Sequence, residues 1–190
     1  MRIIGGSARG LKLADPGAGD PGAHLRPSTD RLREALFNML CQGRWGDLVR
    51  GARVLDLFAG TGALGLEALS RGAVHVTFIE DGATARALIR ANIEKMRAMG
   101  ATKLFRRDAT KLGANRGEGF TLIFMDPPYG QALGEAALAS ARAGGWLAPG
   151  ATVVWEEAAP QPAPTGFTLL DQRRYASSWL TLLRHEAADR

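Results

Sequence analysis

The sequence predicts an α/β protein with a mainly parallel seven-stranded sheet, a closing C-terminal antiparallel hairpin, and a small N-terminal β-hairpin extension. Three observations lead there. From residue 53 onward, short aliphatic or β-branched runs alternate with helical stretches. That order implies right-handed crossovers and helices on both sheet faces. Near residue 160 the alternation stops, because Pro160, Pro162, Pro164 and Gly166 are poor material for a crossover helix. At the amino end, Arg2-Ile3-Ile4 and Leu11-Lys12-Leu13 flank the turn Gly5-Gly6-Ser7-Ala8-Arg9-Gly10.

The elements follow in chain order. Pro16, Gly17, Gly19, Pro21, Gly22 and Pro27 make residues 14–27 a linker, so residues 1–27 form a hairpin-and-linker unit and residues 28–190 the main domain. Ser28, Thr29 or Asp30 can cap a helix whose Leu32, Leu36 and Leu40 share one face, with Cys41 a small, partly buried filler at its end. Residues 54–58 read as a buried strand running into glycines, 63–71 as a helix, and 74–80 as a second strand. A long helix over 83–99, strands over 102–107 and 120–125, a helix over 133–143 and a strand over 152–156 complete the alternation. Strands over 167–170 and 179–183 close the sheet.

Composition bounds the function. With 46% hydrophobic and 23% charged residues among 190, the chain has the balance of a folded domain. No apolar run approaches the roughly 20 residues that span a bilayer. One cysteine excludes an internal disulfide, and no export signal is evident, so a cytoplasmic location is expected. Of the net charge of +5, residues 1–33 carry +3. A basic head on a near-neutral body points to an anionic partner, nucleic acid first, with an arginine-rich solvated surface as the alternative. Arg2, Arg9, Lys12, His24, Arg26 and Arg31 are the candidate contacts; a loop and an exposed helix face would explain the last three equally well. His24, His75 and His185 show no metal-ligand spacing, so no metal is expected.

Two motifs carry chemistry. Asp56-Leu57-Phe58-Ala59-Gly60-Thr61-Gly62-Ala63-Leu64-Gly65 joins a strand to a helix, and its glycines allow a tight turn and close approach of a ligand. Glu80 follows Gly60 by 20 residues, at the end of the next strand, where a carboxylate can accept from both ribose hydroxyls. NAD and S-adenosylmethionine (SAM) sites share this spacing. Asp56 tilts the choice towards SAM, because a carboxylate there can meet the ammonium that SAM carries and NAD lacks. Asp108 can accept from the adenine amine or simply cap the next turn, and Ala109 can offer its amide to the adenine ring.

The second motif, Asp126-Pro127-Pro128-Tyr129, ends the fourth strand. Its prolines fix the backbone and leave rigid carbonyl acceptors, Asp126 adds a carboxylate, and Tyr129 adds a flat ring. This set suits methylation of an exocyclic base amine. Two acceptors orient the amine hydrogens, and the ring holds the base plane. Taken alone, a double-proline turn with a capping aspartate is also ordinary loop chemistry.

Together the two motifs resemble the class I SAM-dependent N-methyltransferases. Met1-Arg2-Ile3-Ile4-Gly5-Gly6 and Arg26-Pro27-Ser28-Thr29-Asp30-Arg31-Leu32-Arg33-Glu34-Ala35-Leu36-Phe37-Asn38 are similar to the bacterial RsmD family, and the likeness covers nearly the whole chain. The resemblance implies a Rossmann-like fold and methylation of a guanine N2 amine in 16S ribosomal RNA, with an assembling 30S particle as substrate and a monomeric enzyme. It makes Asp126, Pro127, Pro128 and Tyr129 the catalytic loop. Asp56, Phe58, Ala59, Gly60, Thr61, Gly62, Glu80, Asp108 and Ala109 become the SAM pocket, and the basic hairpin becomes part of the RNA surface. Three alternatives stand beside it. A DNA or RNA adenine or cytosine amino-methyltransferase shares the acceptor logic, though the DNA enzymes usually carry a larger recognition domain. An NAD-dependent oxidoreductase leaves the DPPY loop without a task. A non-enzymatic RNA-binding module leaves the cofactor loop without one.

Overall fold

The computed structural model describes residues 1–15, 30–128 and 131–186. The strands are β1 (Arg53–Leu57), β2 (His75–Ile79), β3 (Thr102–Phe105), β4 (Phe120–Met125), β5 (Leu147–Glu157), β6 (Phe167–Tyr175) and β7 (Ser178–His185). They form one seven-stranded sheet in the order β3-β2-β1-β4-β5-β7-β6. The pairs from β3 through to β5 are parallel, and β7 pairs antiparallel with both β5 and β6. The helices are α1 (Asp30–Gln42), α2 (Ala63–Ser70), α3 (Ala83–Lys95) and α4 (Leu133–Ala143). This strand order, with its antiparallel closing hairpin, is the mainly parallel, Rossmann-like arrangement expected from the sequence. No described helix is long and apolar enough to cross a membrane.

Strand alternation sends successive side chains to opposite faces. One face presents Val54, Val76, Phe78, Leu122, Phe124 and Val154 to α1, α2 and α3, with the Phe37 and Phe124 rings 5.7 Å apart. The other presents Leu55, Leu57, Ile123, Met125, Val153 and Trp155, covered by Ala137, Leu138 and Ala141 of α4. Two glycines set the helix-to-sheet distances. A Cβ at Gly65 would lie 2.5 Å from the Phe78 ring, and one at Gly134 would lie 2.2 Å from the Trp155 indole.

Several elements end elsewhere than their composition implies. Helix α3 stops at Lys95 because Arg97 turns left-handed (φ 55°), with Ala98 N–H bonding Ile93 O at 3.0 Å. Strand β5 begins at Leu147 and runs through Pro149 and Gly150, absorbed by a register shift against β4. Strand β6 runs on through Asp171-Gln172-Arg173-Arg174 because β7 pairs with it along its length, across a bulge between Leu169 and Asp171. The proposed caps Ser28 and Thr29, and the linker from residue 16, lie outside the described residues.

The amino-terminal hairpin is short, a single antiparallel bridge between Arg2 and Lys12, with Ile3 and Leu13 buried. Ile3 N–H donates to Leu11 O, and Gly10 N–H donates to Ile3 O, both at 2.9 Å. Helix α2 holds it. The buried Glu67 carboxylate accepts from the amides of Ile4 and Gly5 at 2.8 Å each and pairs with Arg71 at 2.7 Å. Ser70 Oγ donates to Gly5 O at 2.5 Å and accepts from Ala8 N–H at 2.9 Å. Gly6 has φ +78°, and a Cβ there would lie 1.8 Å from Ser70 O.

Candidate active site

β1 pairs with β2 on one side and β4 on the other, so the chain reverses its winding direction there. Crevices at such switch points, beyond the carboxyl ends of the strands, are where α/β sheets bind ligands. Leu57 lies opposite both Ile79 and Met125, Ile79 opposite Phe105, and Met125 opposite Trp155. The next residue on each strand therefore lines a single edge: Arg106, Glu80, Phe58, Asp126 and Glu156.

The glycine loop curls back through three left-handed residues, Phe58 (φ 58°), Gly60 (φ 56°) and Gly62 (φ 77°). Phe58 is the costly one, since a side chain in this region loses about 1–2 kcal/mol. Gly62 N–H closes the turn on Ala59 O at 2.7 Å, and Ala59 N–H extends the ladder to Ile79 O at 3.1 Å. Glu80 Oε2 accepts from Gly60 N–H at 2.9 Å, and Oε1 accepts from Gly82 N–H at 2.7 Å. Glu80 thus clips the loop to the start of α3. Each oxygen keeps a further lone pair for a hydroxyl. Burial pushes its pKa up.

Asp56 is 2% exposed, and its Oδ2 accepts from Gly65 N–H at 3.0 Å. Burial, with Glu80 nearby, pushes its pKa up to about 8. A buried acid in this state favours a cationic or hydrogen-donating ligand. Asp108 Oδ1 accepts from Thr110 N–H at 2.8 Å and from Thr110 Oγ1 at 2.7 Å, which caps the 3₁₀ turn Ala109–Lys111. Those bonds lower its pKa. Ala109 is buried at the base of the turn, and Asp108 is exposed above it.

Asp126 is half-buried, followed by buried Pro127 and half-buried Pro128. Tyr129 lies outside the described residues, as do His24 and Arg26. Burial raises the Asp126 pKa well above the carboxylate range, and the carboxylates of Glu156, Asp56 and Glu157 add to the shift. Glu156, 8% exposed on β5, stands beside Asp126 on the same sheet face. Sequence reasoning overlooked it, because an acid inside an apolar strand acquires meaning only once β5 is seen to pair with β4.

Asn92 was likewise overlooked. It is fully buried on α3, and its Nδ2 donates to Thr61 O at 3.0 Å and Ala14 O at 3.1 Å, while its Oδ1 accepts from Ala14 N–H at 2.6 Å. It ties the glycine loop to the segment after the hairpin. Thr61 Oγ1 also lies 3.7 Å from Met1 Sδ.

Arg2, Arg9, Lys12 and Arg31 are exposed. Arg2 and Lys12 face each other across the hairpin bridge, and Arg2 pairs with Asp30, the neighbour of Arg31, at 3.5 Å. The turn carrying Arg9 is fastened to Ser70 at the far end of α2, whereas Met1 and Ala14 reach the glycine loop. Arg33, part of the basic head, is buried and donates to Arg2 O at 2.8 Å and Asp30 Oδ1 at 2.6 Å.

The pocket fits SAM on two observations. A left-handed glycine turn gives close access to backbone, and Asp56 and Glu80 flank it as acceptors for an ammonium and a ribose. Comparison with known proteins adds to this. A family model described as "Conserved hypothetical protein 95" matches residues 1–184. The chain is 41% identical over 166 residues to ribosomal RNA small subunit methyltransferase D of Escherichia coli (strain K12), covering 87% of this chain and 78% of that one. It is 34% identical over 179 residues to the protein of the same name from Haemophilus influenzae, covering 91% and 88%. Among solved structures, the Escherichia coli yhhF protein, a methyltransferase candidate, superposes with a TM-score of 0.83 at 35% identity over 98% of both chains.

Proposed function

This chain belongs to the RsmD family of SAM-dependent ribosomal RNA small subunit methyltransferases, and we propose that it methylates the exocyclic N2 amine of a guanine in 16S ribosomal RNA. One observation carries the reading. Two carboxylates, half-buried Asp126 and buried Glu156, stand side by side at the edge of the sheet, next to the strand that feeds the glycine loop.

SAM supplies an electrophilic methyl group on a sulfonium. Asp56 takes its ammonium, Glu80 its ribose hydroxyls, and Ala109 and Asp108 its adenine. Guanine offers two adjacent donors on one edge, the N1–H and the N2 amine. Asp126 and the proline carbonyls accept the amine hydrogens and turn the nitrogen lone pair towards the methyl. Glu156 accepts from N1–H, which adenine lacks. As the nitrogen–carbon bond forms and the sulfur–carbon bond breaks, the amine becomes acidic and loses a proton. A carboxylate with a raised pKa accepts that proton more readily than an ordinary aspartate. Tyr129 is assigned to stacking on the base.

The finer assignments belong to the same proposal. The enzyme acts as a cytoplasmic monomer on an assembling 30S particle. Residues 1–27 form an RNA-contacting unit on the domain 28–190, with Arg2, Arg9, Lys12, His24, Arg26 and Arg31 meeting phosphates. The deciding experiment incubates the enzyme and methyl-labelled SAM with 30S particles from a strain lacking this activity, then maps the label. Label on a single guanine N2 is expected. Label on adenine, on cytosine or on DNA alone would overturn the assignment.

A further inference from the structure

The sheet face that carries α4 is not covered throughout. The crossover from β3 to β4 holds only the 3₁₀ turn Ala109–Lys111 and the loop 112–119. Over β1, β2 and β3 this leaves a groove of about 560 Å³, bordered on one side by the edge strand β3.

Four cations line it, Arg53, Lys103, Arg107 and Arg116. Its one acid, Glu118, pairs with Arg53 at 3.4 Å from an exposed position. The floor is aromatic. The Phe120 and Trp146 rings stack at 6.0 Å, and Phe105 meets Trp146 edge-on at 6.3 Å. The guanidinium of Arg53 lies 5.4 Å over Phe120, and that of Arg107 lies 5.1 Å over Phe105 and 5.6 Å over Trp146. Phe120 and Trp146 are covered too well to stack on bases, at 3% and 2% exposed, and Phe105 is half-buried. What they do is hold planar guanidinium forks in place, the arrangement that suits phosphate oxygens. His75 belongs to the same lining, and burial together with the Arg53 and Lys103 charges holds its pKa down.

The groove meets the residues of the active site along the chain. Arg107 forms its upper rim, and the next two residues, Asp108 and Ala109, are those assigned to the adenine. Arg53, at the start of β1, marks its lower end.

We propose that this groove binds the sugar–phosphate backbone of the RNA strand that carries the target guanine, around the β3 edge of the sheet. It is a second RNA surface, on the face opposite α1, α2 and α3 and separate from the amino-terminal hairpin. The inference rests on RNA being the substrate. It reads charge and shape rather than base sequence, because its stacked Phe120 and Trp146 rings are buried and its cations are point or fork donors.

The test uses the exposed pair, Lys103→Ala with Arg116→Ala, in the full chain. Affinity for a single-stranded ribosomal RNA fragment is measured by fluorescence anisotropy across a salt series, and SAM affinity by calorimetry. Two lost phosphate contacts should lower the salt slope by about 1.4 units, at ~0.7 per contact on single strands. RNA affinity at low salt should fall at least tenfold (order of magnitude), with SAM affinity unaltered. A wild-type salt slope and RNA affinity in the double variant would overturn the groove assignment. Methyl transfer by the wild-type enzyme to 30S particles decides the substrate reading separately, so the two can fail independently.

Discussion

The buried carboxylate of Asp56 accepts the amide of Gly65 at 3.0 Å, directly beneath the glycine loop. Its pKa is pushed up to about 8 by burial and by Glu80, against 3.8 for an ordinary aspartate. The folded chain therefore keeps a proton that the unfolded chain releases. The stability this contributes is fully present below about pH 4 and is lost as pH rises through about 8. Asp56→Asn removes the titration and keeps the acceptor for Gly65. Thermal melts without SAM should show the variant gaining on the wild type from pH 5 to about pH 8 and levelling off above that. A gap that stays constant with pH would refute the buried-proton account.

Asp126 and Glu156 divide the acceptor work. Asp126→Ala should reduce methyl transfer by about 10²–10³-fold, the usual effect of losing one oriented hydrogen-bonding partner in a transition state. SAM affinity should stay within about threefold by calorimetry, since Asp126 is assigned to the amine. Glu156→Gln should mainly raise KM for RNA and relax discrimination against adenine, because an amide can donate as well as accept. Normal turnover in the Asp126 variant would sink the acceptor assignment.

Glu80 has two tasks. It clips Gly60 and Gly82 together and is assigned to the ribose. Hydrogen bonds to a charged group contribute about 1.5–3 kcal/mol, so Glu80→Ala should weaken SAM binding by roughly 10–150-fold. Titration calorimetry reads this directly, and unchanged affinity would leave Glu80 as a backbone clip only.

Two glycines of the hairpin give a matched contrast. Gly6 and Gly10 both have positive φ, +78° and +88°, but only at Gly6 does a Cβ collide with backbone, at 1.8 Å from Ser70 O. Gly10→Ala should cost about 1–2 kcal/mol for the left-handed conformation alone. Gly6→Ala should cost more, about 2–4 kcal/mol, by lifting the hairpin from α2. Urea denaturation compares them, and equal costs would mean the docking contacts contribute little.

Much of this architecture was legible in the residues. β-branched runs alternating with helical ones predict the parallel sheet, and proline clustering predicts its antiparallel close. The glycine loop, Glu80 and Asp126 fall on one edge because each directly follows a strand end. What pairing alone decides was not legible. Polar Asp171 to Arg174 stays in β6 because β7 supplies hydrogen bonds that composition cannot reveal. Glu67, Asn92 and Glu156 look like ordinary polar residues in a helix or strand. Their roles depend on backbone amides or carboxylates brought in from distant segments, and Glu67 alone holds residues more than 60 positions away. Gly5-Gly6 reads as a turn, and its deeper requirement is room for Ser70 and Arg71.

The strand order has a consequence for how the enzyme can be taken apart. β3, β2 and β1 occupy one side of the sheet and β4, β5, β7 and β6 the other, and only the β1–β4 pairing joins the two groups. The first group carries every residue assigned to the methyl donor, and the second carries both acidic acceptors. A chain severed in the loop 112–119 would part the donor residues and the acceptors into two fragments. Neither would react alone. Fused to two proteins that meet, such fragments would regain chemistry only when β4 found β1, and methylation would record the encounter.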